Sequence, residues 1–435
     1  MSRLRVLLLA PDANPESICG SLIGYCQAQA LADLHDVTLV IRSTGGEPLW
    51  RKQSAIHSLE VISLVRVERF YDWMLRRVFK SNYESHALEA CRYPFHVAFE
   101  WQAWRQLRRR IMAGEFDIVL RLLPVTAVMP SPFAFFLRNG PIPFAIGPIN
   151  GGLPPSPGLS RARNSRQWIS GFRNAYRYLP FARSTYRHAA AIIAGSSQTY
   201  AEFAEHREKL FFLPENGVGR SVYSCAVRGS ERRARLELIF VGGLVARKAC
   251  DLALRAAAPL LRDDLARFTV VGDGPERGRL EQLARSLGVE RAVSFCGSVR
   301  HNEVLERLKS TDVMVFPSLR DFGGGVVFEA LALGAIPVVV DFGGPGDIVS
   351  PAVGYKVSLT DEANVVSQIE RILRDLAEDR DLLERLRQQG MAYAQECLTW
   401  DAKAQVLTKI MHWALRRGPK PDLPPPKMLQ AKHAA

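Results

Sequence analysis

Short apolar runs closed by glycine, proline, asparagine or aspartate recur along this chain. Between them lie longer stretches whose apolar residues return every third or fourth position. Runs of the first kind read as strands buried on both faces, and stretches of the second kind as amphipathic helices. In the first half the pattern predicts strands at 3–9, 36–41, 59–67, 117–121, 143–146, 189–194 and 209–213. Helices are expected at 21–32, about 84–113 and 197–206, and in parts of the basic, aromatic stretch 160–188. Residues 45–60 read as loop or short helix. Residues 147–158 are so dense in turn formers that they are excluded from helix and from any central strand. The second half alternates more regularly, with strands at 236–241, 267–271, 293–295, 312–316 and 336–340. Helices fill the gaps at about 248–261, 276–287, 302–309 and 325–333, and three more at 362–377, 379–396 and 400–416 close the chain. Such alternation implies α/β architecture with parallel, doubly wound sheets. The character changes at 215–235, where Asn-Gly and Val-Gly pairs meet a charged run, 228–235, and this reads as a linker. The expected plan is a domain at 1–214, the linker, a domain at 236–398 facing the first across a cleft, a helix at 399–417 crossing back to the first domain, and a Pro- and Lys-rich disordered tail at 418–435.

Length agrees with two domains, since 435 residues exceed one ordinary core of about 200. Hydrophobic residues at 47% and charged residues at 23% are those of a globular protein. The formal net charge of +13 suits anionic ligands, an anionic membrane surface or nucleic acid. The arginines are scattered and no nucleic-acid module signature is present, so nucleic acid is not an expected partner. Seven cysteines without short paired spacing point to reduced thiols in the cytosol, with Cys19 and Cys26 as packing residues on a helix face. Residues 1–11 are too short for a signal peptide and read as the first strand. The apolar region 118–137 contains Arg121 and three prolines, which rules out a transmembrane helix there and leaves a soluble or peripheral protein.

Candidate chemistry gathers in 321–329, Asp-Phe-Gly-Gly-Gly-Val-Val-Phe-Glu. An apolar strand leads in and a helix leads out. Glycines at such a junction let a ligand approach bare backbone, and the helix start presents N–H groups to phosphate. Asp321 and Glu329 flank that place as acceptors for ligand hydroxyls, a combination that describes a nucleotide sugar. The strand 238–243 ends in glycines and runs to Arg247 and Lys248 at an expected helix start. Cations at the carboxyl edge of a parallel sheet stand where such sheets bind ligands. Lys248 would neutralise a diphosphate and Arg247 could add a bidentate contact. The glycines at 272, 274 and 278 are spaced one residue too long for a dinucleotide fingerprint and read as a structural turn. Asp379 and Asp381 mimic a metal motif but lie in a charged helical stretch that reads as a solvated face, so no metal is expected. In 97–113, Trp101, Trp104, Leu107, Arg108 and Ile111 read as one side of a helix, either core-facing or interfacial.

These elements, in this order, resemble the retaining GT-B glycosyltransferases of glycosyltransferase family 4. The likeness runs over most of 210–400 and rests on 214–218, 240–248, 271–275, 292–297, 312–318, 321–329 and 330–337. The first half is similar more loosely, in its opening strand and glycine loop. The nearest type is that of exopolysaccharide or other surface-glycan assembly. The resemblance implies two Rossmann-like domains. It makes Glu329 the holder of the nucleotide ribose and Asp321 that of the donor sugar. Phe322, Gly323, Gly324, Gly325 and Val326 would offer backbone N–H groups, Lys248 the diphosphate cation, and Gly20 part of a loop closing on the donor. Asn150, Gly151 and Gly152 would belong to the acceptor side. Three positions depart from the family pattern. Asp321 replaces the usual Glu, Gly243 stands in the place of an arginine that binds phosphate, and 118–124 carries no histidine, leaving Arg121 to take part of that polar role. The implied activity is transfer of a sugar, with retention, from a nucleotide-diphosphate donor to a glycan or lipid-linked acceptor in polysaccharide biosynthesis. It would proceed in the cytoplasm with peripheral contact at the inner face of the plasma membrane, and without a metal or other cofactor. Open alternatives are a degenerate partner protein that binds nucleotide sugar and another GT-B enzyme such as an epimerase.

Overall fold

The structure is a computed structural model, and it describes residues 2–17, 20–42, 54–64, 92–127, 129–151, 175–223 and 234–425. The chain divides into two compact units. The first comprises residues 1–152, 168–215 and 400–425, and the second 153–167, 216–399 and 426–435. The expectations for 43–53, 65–91, 152–174 and 224–233, and for Cys19, lie outside the described residues.

In the first unit β1 (Arg5–Leu9) leads to α1 (Gly20–Leu34), β2 (Asp36–Arg42) and β3 (Ser58–Ile62). There follow α2 (Tyr93–Met112), β4 (Ile118–Arg121), α3 (Pro132–Phe136), β5 (Phe144–Ile149), α4 (Ala182–His188), β6 (Ala191–Ala194), α5 (Ser197–Glu202) and β7 (Leu210–Phe212). The strands form one parallel sheet in the order β3-β2-β1-β4-β5-β6-β7. Successive side chains of a strand point to opposite faces. Val6 and Leu8 accordingly join one core, with Ala28 and Leu31 of α1, while Leu7 and Leu9 join another, with Phe99 and Leu107 of α2. The C-terminal helix, Trp400–Ala414, supplies Leu407 and Met411 to the first of these cores. His35 and Thr408 meet there at 2.7 Å.

Three expectations change in this unit. β5 continues through Gly147 and Pro148 to Ile149, which pairs with Ala194, so the start of the stretch excluded from the sheet is a central strand. The ladder is irregular between Ile146 and Ile149, and that irregularity is what lets a proline without a backbone donor sit there. The tail is ordered as far as residue 425. Phe212 N–H donates to the Leu423 carbonyl at 2.9 Å, and Lys420 Nζ lies 5.5 Å from the Phe211 ring centroid. The helix stripe read from 97–113 also splits. Phe99, Ala103, Leu107 and Ile111 form the buried face, while Trp101 and Arg108 turn outward.

The second unit is built from α6 (Arg220–Tyr223), β8 (Leu236–Val241), α7 (Cys250–Arg262), β9 (Ala266–Val271), α8 (Arg277–Ser286), β10 (Val293–Gly297) and α9 (His301–Lys309). It continues through β11 (Val313–Phe316), α10 (Gly325–Ala332), β12 (Ile336–Val340), α11 (Gly343–Ile348), β13 (Tyr355–Val357), α12 (Glu362–Glu378) and α13 (Arg380–Tyr393). Its sheet is parallel throughout, in the order β10-β9-β8-β11-β12-β13. Neither α11 nor β13 was expected. Part of the stretch read as linker belongs to this core: Val218 and Val222 are buried in it, and Val218 N–H donates to Leu398 O at 2.9 Å.

Candidate functional site

Strand order reverses direction between β8 and β11, and at such a point the loops after two neighbouring strands diverge and leave a crevice at their carboxyl ends. After β8 the chain passes Gly242 and Gly243 into a single 3-10 turn, Ala246–Lys248. Arg247 and Lys248 therefore sit in that turn and not at the start of the following helix, which begins at Cys250 after Ala249 in left-handed conformation. After β11 the chain runs through Ser318 and Leu319 to Asp321. Leu319 N–H donates to the Arg247 carbonyl at 2.9 Å and joins the two loops.

The joined loops bring Lys248 and Asp321 together. Lys248 Nζ donates to Asp321 Oδ2 and stands 4.9 Å from the centre of the Phe316 ring, a second attraction for the ammonium. Both side chains stay partly in water, at 17% and 16% exposure. The other Asp321 oxygen accepts from Gly324 N–H at 3.1 Å. Gly324 takes the N-cap place of α10 with φ 56°, a conformation that favours glycine, and a Cβ there would come within 2.9 Å of Pro345. No side chain caps α10, so the partial positive charge of its first turn faces the same loop as Lys248. Phe322 and Gly323 form the bend before it, and Gly325 and Val326 open the helix.

Glu329 lies one turn further along α10. Its side chain is 21% exposed, and burial of the rest pushes its pKa up to about 7. Its Oε1 is 3.5 Å from Nε2 of His301, the first residue of α9. His301 was not singled out from the sequence. The available signal was its place just beyond β10, a third strand ending at the same sheet edge.

Gly243 is exposed, and a Cβ added there would meet nothing nearer than the Asp273 carbonyl at 4.0 Å. Gly272 is the opposite case. With φ 134° and a Cβ position only 2.0 Å from Gly242 O, it packs backbone on backbone, as a structural turn should. Asp379 caps α13 by accepting from Leu382 N–H at 2.8 Å, which accounts for it without a metal.

In the first unit three of the sequence-derived candidates, Arg121, Asn150 and Gly151, are buried. Gly20 is the first residue of α1 and not part of a loop. Arg121, at the end of β4, is 1% exposed and paired with Glu100 of α2, Nε to Oε1 3.3 Å. Burial raises the Glu100 pKa, against the pull of Arg121 and of the Ser131 hydroxyl, which donates to Oε2 at 2.5 Å. His96, one turn earlier, is held neutral, its pKa lowered to about 4 by burial and by the Arg121 charge. Asn150 is buried and donates through Nδ2 to Glu215, and its backbone bonds to Val125 and Ala127. Gly151 N–H donates to Thr199 Oγ1 at 2.8 Å, and a Cβ on Gly151 would strike Glu202. Arg121, Asn150 and Gly151 are therefore buried and do not face solvent. Among the described residues the Arg121 guanidinium has no hydrogen-bond partner, so its charge is compensated by the ion pair with Glu100 alone.

With this geometry in view, comparison with known proteins gives three findings. Residues 229–392 match the family model described as Glycosyl transferases group 1. Among curated proteins, the chain is 33% identical over 139 residues to an uncharacterized glycosyltransferase of Methanocaldococcus jannaschii, covering 32% of this chain and 36% of that protein. It is 30% identical over 254 residues to the D-inositol 3-phosphate glycosyltransferase of Streptomyces avermitilis, covering 53% and 54%. The chain thus spans about half, or less, of the length of the curated relatives it matches. Among solved structures, HepE of Anabaena, in complex with UDP and glucose, superposes with a TM-score of 0.59 at 15% identity, covering 94% of this chain and 100% of that one. This likeness shows the fold, GT-B, with two Rossmann-like units. The matched family segment holds Gly243, Arg247, Lys248 and the whole of 321–329.

Proposed function

We propose that this chain is a retaining glycosyltransferase of family 4 type, moving a sugar from a nucleotide-diphosphate donor to a glycan or lipid-linked acceptor in polysaccharide assembly. One observation carries the reading: the Lys248–Asp321 ion pair lies beside the uncapped start of α10. An arriving diphosphate can draw the Lys248 ammonium to itself, while Asp321 turns its freed oxygen to donor-sugar hydroxyls. Ion pairs at such partly hydrated places are weak enough to exchange partners. Glu329, protonated or not near neutrality, can accept from or donate to ribose hydroxyls. Arg247 is exposed, and its carbonyl accepts from Leu319 N–H in the loop that leads to Asp321.

Bond breaking then depends on leaving-group charge. As the bond from the anomeric carbon to the diphosphate oxygen breaks, negative charge grows on that oxygen. Lys248 and the α10 amides stabilise it where it develops. The acceptor hydroxyl attacks on the face the diphosphate leaves, its proton passes to the departing oxygen, and configuration is retained. No protein base is required. Because the HepE complex holds UDP and glucose, UDP-glucose is the first donor to test. The work would be cytoplasmic and peripheral to a membrane. Among the described residues no helix is long and apolar enough to cross one.

A second reading, a donor-binding partner without turnover, draws on the sealing of Arg121 with Glu100, which leaves the histidine of the family pattern without a substitute at 118–124. The test has two parts. A thermal-shift screen with UDP, GDP and ADP sugars should raise the melting temperature for one base, by about 2.7 kcal/mol of added stability at a hundredfold excess over Kd. Transfer to sugar or lipid-linked acceptors should follow for the same donor and be lost in Glu329→Ala. A donor shift with no turnover on any acceptor would favour the second reading, and no shift with any nucleotide sugar would sink both.

A further inference from the structure

One face of α2 presents Trp101, Arg105, Arg108 and Met112, spaced i, i+4, i+7 and i+11, all of them exposed. Trp101 has 50% of its surface in water and Met112 59%. This helix already buries Phe99, Ala103, Leu107 and Ile111 on its other side, so the sheet does not require a second apolar edge. Nor is Trp101 isolated. It packs edge-on against Phe136 at 5.4 Å between centroids, and Phe136 touches Phe135 at 6.1 Å and Phe181 at 6.4 Å. Beside Phe181 and Phe135 opens a cavity of about 450 Å³ whose rim is Tyr178, 89% exposed.

Charge follows the aromatic patch. Arg105, Arg108 and Arg109 run along the helix, Arg138 lies over the Phe135 ring at 4.0 Å, and Arg177 and Arg183 line the cavity. Across the contributing segments, 92–112, 129–142 and 175–188, the only carboxylate is Glu100, and it is buried. From outside these segments Glu202 reaches Arg177 at 3.8 Å, and Glu60 and Glu115 hold Arg110.

The geometry points to this face as the docking surface for an anionic lipid bilayer. Indole and phenol rings settle at headgroup depth with their apolar bodies toward the acyl chains, and arginines beside them meet lipid phosphates. Exposed aromatics fringed by more cations than carboxylates have the chemistry of an interfacial helix. The surface gives the lipid-linked part of the proposed function a physical seat, and rests on that reading only for why the chain would visit a bilayer.

The test is co-sedimentation of the full chain with vesicles of phosphatidylcholine, alone or mixed with phosphatidylglycerol. Binding to the mixed vesicles is expected, weakening as salt rises. Arg105→Gln with Arg108→Gln should reduce it roughly thirtyfold, about fivefold per charge. Trp101→Ser with Tyr178→Ser should reduce it by at least about tenfold, since interfacial burial of both rings is lost. All four side chains are exposed, so melting temperatures should fall by no more than a few degrees. Equal binding to both vesicle types would overturn the proposal, as would wild-type binding by both double variants. Self-association that these variants abolish, with no vesicle binding, would also overturn it and assign the patch to a second copy. The nucleotide-sugar thermal shift, read on the same variants, keeps the two ideas apart. Vesicle binding without a donor shift sinks the transferase and spares the surface, and a donor shift without vesicle binding does the reverse.

Discussion

Each unit has a cation–carboxylate pair where the strand order of its sheet reverses, and the two pairs have opposite fates. Arg121 and Glu100 sit at the end of β4, at 1% and 4% side-chain exposure, behind α2 and the Ser131 cap of α3. Lys248 and Asp321 sit after β8 and β11, several times more exposed, with glycines and a helix start for neighbours. In a buried pair neither ion is easily replaced, because an abandoned charge would be stranded away from water. An open pair can trade one partner for a ligand while water covers the cost of the exchange. Likeness of position on a fold therefore says little about role. The depth of the pair decides whether it is a strut or a receptor.

The largest effect expected from breaking this contrast is on the sealed side. Arg121→Leu strands Glu100 and should cost about 3–5 kcal/mol in urea unfolding of the first unit. Because burial already raises the Glu100 pKa, the carboxyl can escape by taking a proton, so the loss should be smaller at pH 5 than at pH 8. A loss that does not depend on pH would count against the stranded-charge account. On the open side, Lys248→Ala should change apo stability by less than about 1 kcal/mol. It should nevertheless lower transfer about 10²- to 10³-fold in a donor-saturated assay. If its stability loss matched that of Arg121→Leu, the two pairs would not differ in kind.

The smallest effect sharpens the comparison within the open site. Glu329 has its folded pKa raised to about 7 by burial, so its contribution to stability is intact below the unfolded value, about 4.3, and is lost as pH rises to about 7. Glu329→Gln removes that penalty. Apo melting temperature should rise at pH 8, by an amount equivalent to about 1–3 kcal/mol, and stay unchanged at pH 4. A gain of equal size at both values would mean the carboxyl is not held out of water.

Much of the second unit is legible in the sequence. The runs 236–241 and 336–340 are strands to the residue, because apolar side chains on both faces of a parallel strand leave few other readings. The meeting of Lys248 with the 321–329 loop is legible too, since the topology of a doubly wound sheet brings successive strand ends to one edge. β13 is three residues long, and α11 begins Gly-Gly-Pro-Gly, a composition indistinguishable from a turn until Asp321 O accepts from Gly344 N–H. The burial of Arg121 was hidden for a different reason. Periodicity marks which face a residue occupies, but Glu100 becomes its partner only through the packing of α2 on β4, which no local pattern registers. Gly243 is a residue whose identity reads as a loss in the sequence, while its surroundings show open space where a longer side chain would fit.

The return of the last helix to the first unit has a consequence for the order of assembly. His35 of the first unit meets Thr408 across 373 positions, and Leu407 and Met411 cover the face of the sheet that carries Val6 and Leu8. On a ribosome the bulk of the second unit, 216–399, is synthesised before that covering helix exists. Contacts so distant in sequence close late. The usual rule that the portion made earlier finishes first is therefore inverted: the first unit starts to form before the second and completes its core after it.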